Sequence, residues 1–202
     1  HFYAQYASIK SEVDAAMQHI LETCQFTLGA EVAEFEKEFA AYSQAAFGAG
    51  VNTGTSALHL GLLAAGIGPG DEVITTPFTF PATPHVLRWN NITPVFADID
   101  PETLCIDPAG VESRVTPSTT GILGVHVYGV PCDVHALDGI ARSHGLRVVY
   151  DGAHAFGTQI DGQTIASFGD ATMLSFHATK LFHTAEGGAL AVNDPELKQR
   201  ID

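Results

Sequence analysis

From about residue 70 onward, short β-rich runs alternate with segments that have helical patterns. Several of the β-rich runs are almost continuously apolar, which is typical of strands buried on both faces and therefore of a mainly parallel sheet covered by helices. The β-α-β-α order predicts a three-layer α/β/α sandwich. The strand candidates are residues 71–77, 93–99, 120–129, 146–152, 171–176 and 188–192.

Three segments have the spacing of amphipathic helices. Residues 31–42 and 56–66 repeat apolar side chains at helical intervals, and residues 133–145 do so between two end signals. Asp133 is a typical N-cap residue, and Gly145 is a typical residue at a helix C-terminus. These segments are predicted to cover the sheet.

Composition limits the class of protein. The 202 residues are 46% hydrophobic and 16% charged, which indicates one sizeable globular domain. The formal net charge of −14 disfavours nucleic acid and anionic membranes as partners, because both require basic surface.

The sequence also predicts a cytoplasmic protein. Cys24, Cys105 and Cys132 are odd in number and lack metal-binding spacing, so we expect reduced thiols. No stretch approaches the ~18 to 20 apolar residues of a membrane span. The opening segment has no signal-peptide core.

Polar residues at the carboxyl ends of the predicted strands are candidates for chemistry, because ligands of open α/β sheets bind there. Lys180 follows the strand at 171–176, and a partly desolvated lysine can attack a carbonyl to form a Schiff base. Asp151 ends the strand at 146–152 and could face a cationic ligand atom. Taken singly, each could also be an ordinary surface lysine or turn aspartate.

A helix start at residues 54–56 is a candidate phosphate site. Gly54, Thr55 and Ser56 lead directly into the predicted helix, and free N–H groups at a helix N-terminus bind phosphate. Ser175 could add a hydroxyl group to the same phosphate. Ordinary capping by Ser and Thr is the alternative explanation.

Two further residues complete the set. Phe80 could stack on a planar cofactor or be a core aromatic, and Phe78 is expected to point the other way. His154 could contact the face or phenolic oxygen of a cofactor, or be a hydrogen-bonded histidine. We reject a metal site formed by His126, His177 and His183, because their spacing fits no ligand pattern.

One ligand would use all these groups together. Pyridoxal 5'-phosphate (PLP) has an aldehyde for the lysine, a pyridine nitrogen for the aspartate, a phosphate for the helix start and a flat ring for the aromatic. The combined pattern therefore predicts a PLP site.

Long segments resemble a known family. The chain is similar to the DegT/DnrJ/EryC1/StrS group of PLP-dependent nucleotide-sugar aminotransferases, which have the aspartate aminotransferase fold type I. The resemblance covers almost the entire chain and is carried by "NTGTSALHLGLLAAGIGPGDEVITTPFTFPAT", "VHVYGVPCDV", "YDGAHAFG" and "SFHATKLFHTAEGGAL" among other segments.

The resemblance implies a role for each site residue. Lys180 is implied to be the Schiff-base lysine, Asp151 the partner of the pyridine nitrogen, and Phe80 the stacking aromatic. His154 matches a position beside the cofactor. The implied phosphate contacts are Gly54, Thr55 and Ser175, with Ser56 at the same helix start.

The resemblance also implies an activity and an assembly. We expect transfer of an amino group from glutamate to a nucleotide-linked keto-deoxysugar of the dTDP-4-keto-6-deoxyhexose type, for surface-polysaccharide or natural-product sugar biosynthesis. A homodimer with active sites at the subunit interface is implied. Family members are longer, so we expect an N-terminal helical segment at 1–30, the PLP-binding large domain at 31–193, and at 194–202 the start of a connection to a small C-terminal domain that is absent.

Three other functions stay open at this point. Some relatives are dehydratases in which histidine replaces the lysine, and Lys180 disfavours that activity. A non-catalytic sensor would need a DNA-binding arm, for which no basic helix-turn-helix pattern is present. A truncated and inactive PLP-binding domain is the third alternative.

Overall fold

The computed structural model describes residues 2–201, and for Phe2 the backbone alone. The chain divides into two units, one that ends at Phe35 and one that begins at Glu36. The first unit contains helix α1 (Phe2–Thr23) and the first turns of helix α2 (Ala30–Tyr42). Large apolar side chains of this unit are exposed to solvent, namely Tyr3, Tyr6, Ile9, Met17, Leu21, Phe26 and Leu28.

The second unit is built on a seven-stranded sheet. Its strand order is β1-β9-β8-β5-β4-β2-β3, and β9 alone among these strands runs antiparallel to both of its neighbours. The strands of this sheet are β1 (Phe47–Val51), β2 (Glu72–Thr75), β3 (Thr93–Phe96), β4 (Thr119–Val125), β5 (Arg147–Asp151), β8 (Ala171–Ser175) and β9 (Gly188–Val192). A separate small hairpin contains β6 (Gln159–Ile160) and β7 (Gln163–Thr164).

Helices cover both faces of this sheet. One buried cluster joins α3 and α4 to the sheet through Leu58, Leu62 and Val86, and a second joins α6 through Leu137 and Ala141. The helices of this unit after α2 are α3 (Gly54–Ala64), α4 (Ala82–Trp89), α5 (Pro108–Glu112), α6 (Val134–His144) and α7 (Pro195–Ile201). The predicted α/β/α sandwich with a mainly parallel sheet is therefore confirmed.

The end signals read from the sequence act as expected in α6. The Asp133 side chain accepts a hydrogen bond from the backbone N–H of Ala136 at 3.0 Å, which satisfies one free donor of the first turn. Gly145 ends the helix with φ of 68°, a left-handed conformation that glycine adopts without steric cost.

Three of the differences between the structure and the sequence prediction lie in or near the main sheet. Strand β4 stops at Val125, because the next residues form a tight turn in which Tyr128 has φ of 53°. Strand β1 was not predicted, since three of its five residues are Gly or Ala and carry little β-propensity. Helix α4 was also not predicted, since its N-cap residue is Pro81 and no side chain caps its start.

No helix within residues 2–201 is both long and apolar enough to cross a membrane. The same residues hold no cluster of three or more His, Cys, Asp or Glu side chains that could bind a metal ion.

Gly188 lets the start of α3 pack directly against β9. A Cβ atom at this position would lie 2.5 Å from the carbonyl carbon of Thr53 and 2.6 Å from the amide nitrogen of Gly54. Backbone atoms cannot yield as a flexible side chain does, so Gly188→Ala should lower the free energy of unfolding by about 1–3 kcal/mol. Denaturant unfolding measures this change.

Gly139→Ala is the matched control for this prediction. Gly139 lies inside α6, and a Cβ atom there would have nothing within 4 Å. Alanine should raise the free energy of unfolding by about 0.5–1 kcal/mol, because it has the higher helix propensity. Equal effects of the two substitutions would contradict the close approach at Gly188.

Candidate active site

A cavity of about 580 Å³ opens at the carboxyl ends of the parallel strands. The last residues of three neighbouring strands line it, Val125 from β4, Asp151 from β5 and Ser175 from β8. This is the edge of the sheet where ligands of open α/β folds bind. Seven predicted site residues line the cavity together, namely Gly54, Thr55, Phe80, Asp151, His154, Ser175 and Lys180.

The start of α3 forms one wall. Its N-cap residue, Thr53, accepts a hydrogen bond from the backbone N–H of Ser56 at 3.1 Å. The amide groups of Gly54 and Thr55 stand at the first two helical positions, where no carbonyl of the helix can reach them. This wall therefore offers the N–H donors and the positive helix end that favour an anion.

Ser56 differs from the other predicted residues in its position. It does not line the cavity, and its hydroxyl group accepts from Thr53 Oγ1 at 3.1 Å. The side chain thus belongs to the cap of the helix, which was the alternative explanation for this motif.

Ser175 faces the same helix start across a very short gap. A Cβ atom at Gly54 would lie 2.9 Å from Ser175 Cβ and 3.2 Å from its Oγ. Only glycine at position 54 lets the helix amides and the serine hydroxyl come this close. The two elements form a small polar cradle at one end of the cavity.

Asp151 is buried in the cavity wall with its carboxylate fixed at both oxygens. Thr83 Oγ1 donates to Oδ2 at 2.7 Å, and the backbone N–H of Ala153 donates to Oδ1 at 3.0 Å. Burial raises the pKa of the Asp151 carboxyl, while these hydrogen bonds, the charge of Lys180 and the charge of His154 in its protonated form oppose that rise. The carboxylate would gain most from a cation placed in the cavity.

Lys180 lies in the loop that joins the antiparallel strands β8 and β9. The backbone N–H of Phe176 donates to the carbonyl of Gly187 at 2.9 Å, which closes the base of this loop. Lys180 N–H donates to the carbonyl of His177 at 2.9 Å and so fixes the turn that carries the lysine. Its ammonium group is near enough to lower the pKa values of both Asp151 and His154.

Aromatic side chains form the rim of the cavity. Phe80 is 72% exposed, and Phe78 also lines the cavity. The expectation that Phe78 points the other way is wrong, because Phe78 and Phe80 both line the cavity. Tyr128 meets Phe78 edge-on at 6.2 Å and lies parallel to His154 at 6.0 Å between ring centroids.

His154 lies on this exposed rim. Burial and the charge of Lys180 lower the pKa of its imidazole, and the carboxylate of Asp151 opposes them. The neutral ring is therefore favoured while Lys180 carries its proton.

Three residues of the site were missed by the sequence analysis. Thr83 lies on a helix that was not predicted. Tyr128 lies beyond the end of β4, in a segment that the sequence analysis had included in the strand. His126, which was considered as a metal ligand only, is buried against Tyr150 with 4.7 Å between ring centroids. Its Nδ1 accepts from the N–H of Cys132 at 3.0 Å, and burial lowers its pKa to about 4, so its ring is neutral near pH 7.

Comparisons with known proteins agree with this fold. The profile of the DegT/DnrJ/EryC1/StrS aminotransferase family matches residues 7–202. The chain belongs to this family, and its large-domain architecture is that of the fold type I aminotransferases. The resemblance stated from the sequence is therefore confirmed.

Individual relatives show how much of a family member is present. The chain is 47% identical to the spore coat polysaccharide biosynthesis protein SpsC of Bacillus subtilis, over 92% of this chain and 48% of that protein. It is 46% identical to the dTDP-4-amino-4,6-dideoxy-D-glucose transaminase of Shigella dysenteriae, over 75% of this chain and 41% of that protein. The chain thus spans about half the length of the curated relatives it matches.

A solved structure superimposes on the entire chain. DesV of S. venezuelae, crystallised in complex with a ketimine intermediate, matches with a TM-score of 0.95 and 39% identity. The match covers 100% of this chain and 54% of that one.

Proposed function

We propose that this chain is the large domain of a PLP-dependent aminotransferase that moves an amino group from glutamate to a nucleotide-linked keto-deoxysugar. The observation that carries the proposal is the placement of Lys180 and Asp151 in one cavity with the helix start of α3. An amine, a buried carboxylate and an anion cradle are the three polar groups that PLP requires.

The residues present fit the cofactor. The cradle of Gly54, Thr55 and Ser175 would hold the phosphate, and Asp151 would face the pyridine nitrogen. A protonated ring nitrogen would supply the cation that the buried carboxylate lacks. Lys180 would bind the aldehyde, and the exposed ring of Phe80 would cover the cofactor.

The bound cofactor would supply an electron-withdrawing ring that stabilises negative charge on the substrate carbon. The protein groups would do the rest. Asp151, held by Thr83 and Ala153, would face the ring nitrogen and favour its protonated form. The free amine of Lys180 would be the general base that takes the proton from the substrate carbon and the general acid that gives it back. His154 at the rim would contact the cofactor's phenolic side.

The relatives support the substrate class. The Shigella protein is named for a dTDP-linked 4-amino-4,6-dideoxyglucose, and we propose a dTDP-4-keto-6-deoxyhexose substrate for this site. Such a role belongs to surface-polysaccharide or natural-product sugar biosynthesis, and we propose a cytoplasmic location for it.

We further propose a homodimer with shared active sites. Among residues 2–201, Lys180 is the one Lys or Arg that lines the cavity, whereas a sugar diphosphate carries two phosphate charges. Additional cations would come from a partner subunit or from residues beyond the large domain, which we place at 31–193. The exposed apolar side chains of residues 3–28 also support the proposal, because a partner subunit would cover such a surface.

Isotope transfer tests this function. The purified protein is incubated with PLP, ¹⁵N-glutamate and a panel of nucleotide keto-sugars, and the products are read by mass spectrometry. We expect ¹⁵N in a dTDP-linked amino sugar. If PLP binds and none of the keto-sugars receives the label, the aminotransferase is excluded in favour of a non-catalytic PLP-binding domain.

A further inference from the structure

Thr83 touches the proposed catalytic carboxylate but not the cavity. It is the second residue of α4 and is fully buried. Its Oγ1 lies 2.7 Å from Asp151 Oδ2, the usual length of a hydrogen bond from a hydroxyl group to an oxygen. Thr83 is not among the residues that line the cavity. Any effect it has on a ligand must therefore pass through Asp151 or through Thr79, which bonds to Thr83 and lines the cavity.

The chemistry of the two groups fixes the direction of this hydrogen bond. An ionised carboxylate accepts only, so the single hydroxyl hydrogen of Thr83 is given to Asp151. The 2.8 Å contact between Thr79 Oγ1 and Thr83 Oγ1 must then have Thr79 as its donor. The two hydroxyl groups form a chain whose dipoles all point their positive ends at the carboxylate.

This chain opposes the effect of burial. Asp151 lies 5% exposed in an apolar wall, where the charged form of a carboxylate is disfavoured. Its protein donors at the side chain are the Thr83 hydroxyl and one backbone N–H. A second hydroxyl behind the first strengthens the donor, because hydrogen bonds in a chain polarise one another.

We propose that Thr83, supported by Thr79, is a positioning residue that keeps Asp151 ionised and oriented toward the cavity. The proposal rests on the proposed function for its effect on catalysis, but its effect on the carboxyl group exists in the protein without cofactor. Protonation of Asp151 would reverse the direction of both hydrogen bonds, since Thr83 can accept from a carboxylic acid and donate to Thr79.

The test measures the titration of Asp151 in cofactor-free protein by ¹³C NMR of labelled aspartate carboxyl groups. Thr83→Val removes the hydroxyl group at nearly constant shape, and we expect Asp151 to titrate at a clearly higher pH than in the wild type. Thr83→Ser keeps the hydroxyl group and should restore the wild-type midpoint. A purely structural role of Thr83 would not raise the titration midpoint of Asp151 in Thr83→Val and restore it in Thr83→Ser.

Thr75→Val is the matched control. Thr75 is equally buried, and its hydroxyl group donates to the carbonyl of Leu123 at 2.8 Å, away from any carboxylate. It should leave the midpoint of Asp151 unchanged. If Thr83→Val fails to fold, Thr79→Val tests the same chain from its accessible end and should give a smaller rise.

Kinetics of the PLP-loaded protein provide the second measurement. Thr83→Val should lower kcat/KM by about 10-fold or more, with Thr83→Ser near the wild type. An unchanged Asp151 midpoint in Thr83→Val, or in Thr79→Val if only that variant folds, would overturn the proposal. Absence of ¹⁵N transfer in the wild type would overturn the proposed function alone, because the titration needs no cofactor.

Discussion

Replacing Lys180 with alanine should abolish aminotransferase activity. The variant loses both the amine that would bind the cofactor aldehyde and the base that moves the proton at the substrate carbon. General acid–base catalysis alone contributes about 10² to 10⁴-fold, so we expect kcat/KM to fall by at least about 10³-fold. Transfer of ¹⁵N from glutamate measures the activity, and a visible absorbance scan after addition of PLP measures the covalent attachment of the cofactor.

Lys198→Ala is the control for the loss of a lysine. Lys198 lies on α7 and does not line the cavity, so its replacement should leave absorbance and transfer unchanged. Retention of both activity and the absorbance in Lys180→Ala would remove Lys180 from the chemistry. Loss of both in the two variants alike would indicate a structural defect and would contradict a specific role for Lys180.

Replacing Asp151 with asparagine should lower the rate far more than it lowers stability. An amide cannot keep a pyridine nitrogen protonated, and we expect a fall in kcat of about 10²-fold or more. The fold should tolerate the change, because Asn has the same shape. Its carbonyl can accept from Ala153 N–H, and its amide can donate to Thr83 if the Thr79–Thr83 hydrogen bond reverses.

The comparison variant for this prediction is Asp161→Asn. Asp161 is exposed in the turn between β6 and β7 and has φ of 51°, a conformation that asparagine also adopts. Steady-state kinetics should show a much lower kcat for Asp151→Asn than for Asp161→Asn. Denaturant unfolding should show similar stability for the two variants. A kcat near the wild-type value in Asp151→Asn would count against the assignment of Asp151.

The residues that follow strand ends could be found from the sequence for a physical reason. Parallel strands bring their carboxyl ends to one edge of the sheet, so Asp151 and Ser175 meet although they are far apart in the chain. The Gly54-Thr55-Ser56 helix start is likewise a local pattern. These features depend on short-range chemistry and on one topological rule.

Other parts of the site depend on packing that no local pattern reports. Thr83 reaches Asp151 because α4 forms, although the start of this helix has no capping side chain that would mark it in the sequence. Phe78 and Phe80 both line the cavity, whereas the sequence analysis placed Phe80 alone at the site. Ser56 had two possible roles, and the capping bond to Thr53 became visible only in the structure.

Chemical trapping tests the central claim most directly. The PLP-loaded protein is reduced with borohydride, digested, and mapped by tandem mass spectrometry. The account predicts the reduced cofactor on the peptide that contains Lys180 and on no other lysine. Cofactor attached to a different lysine, or full binding with no attachment after reduction, would contradict it.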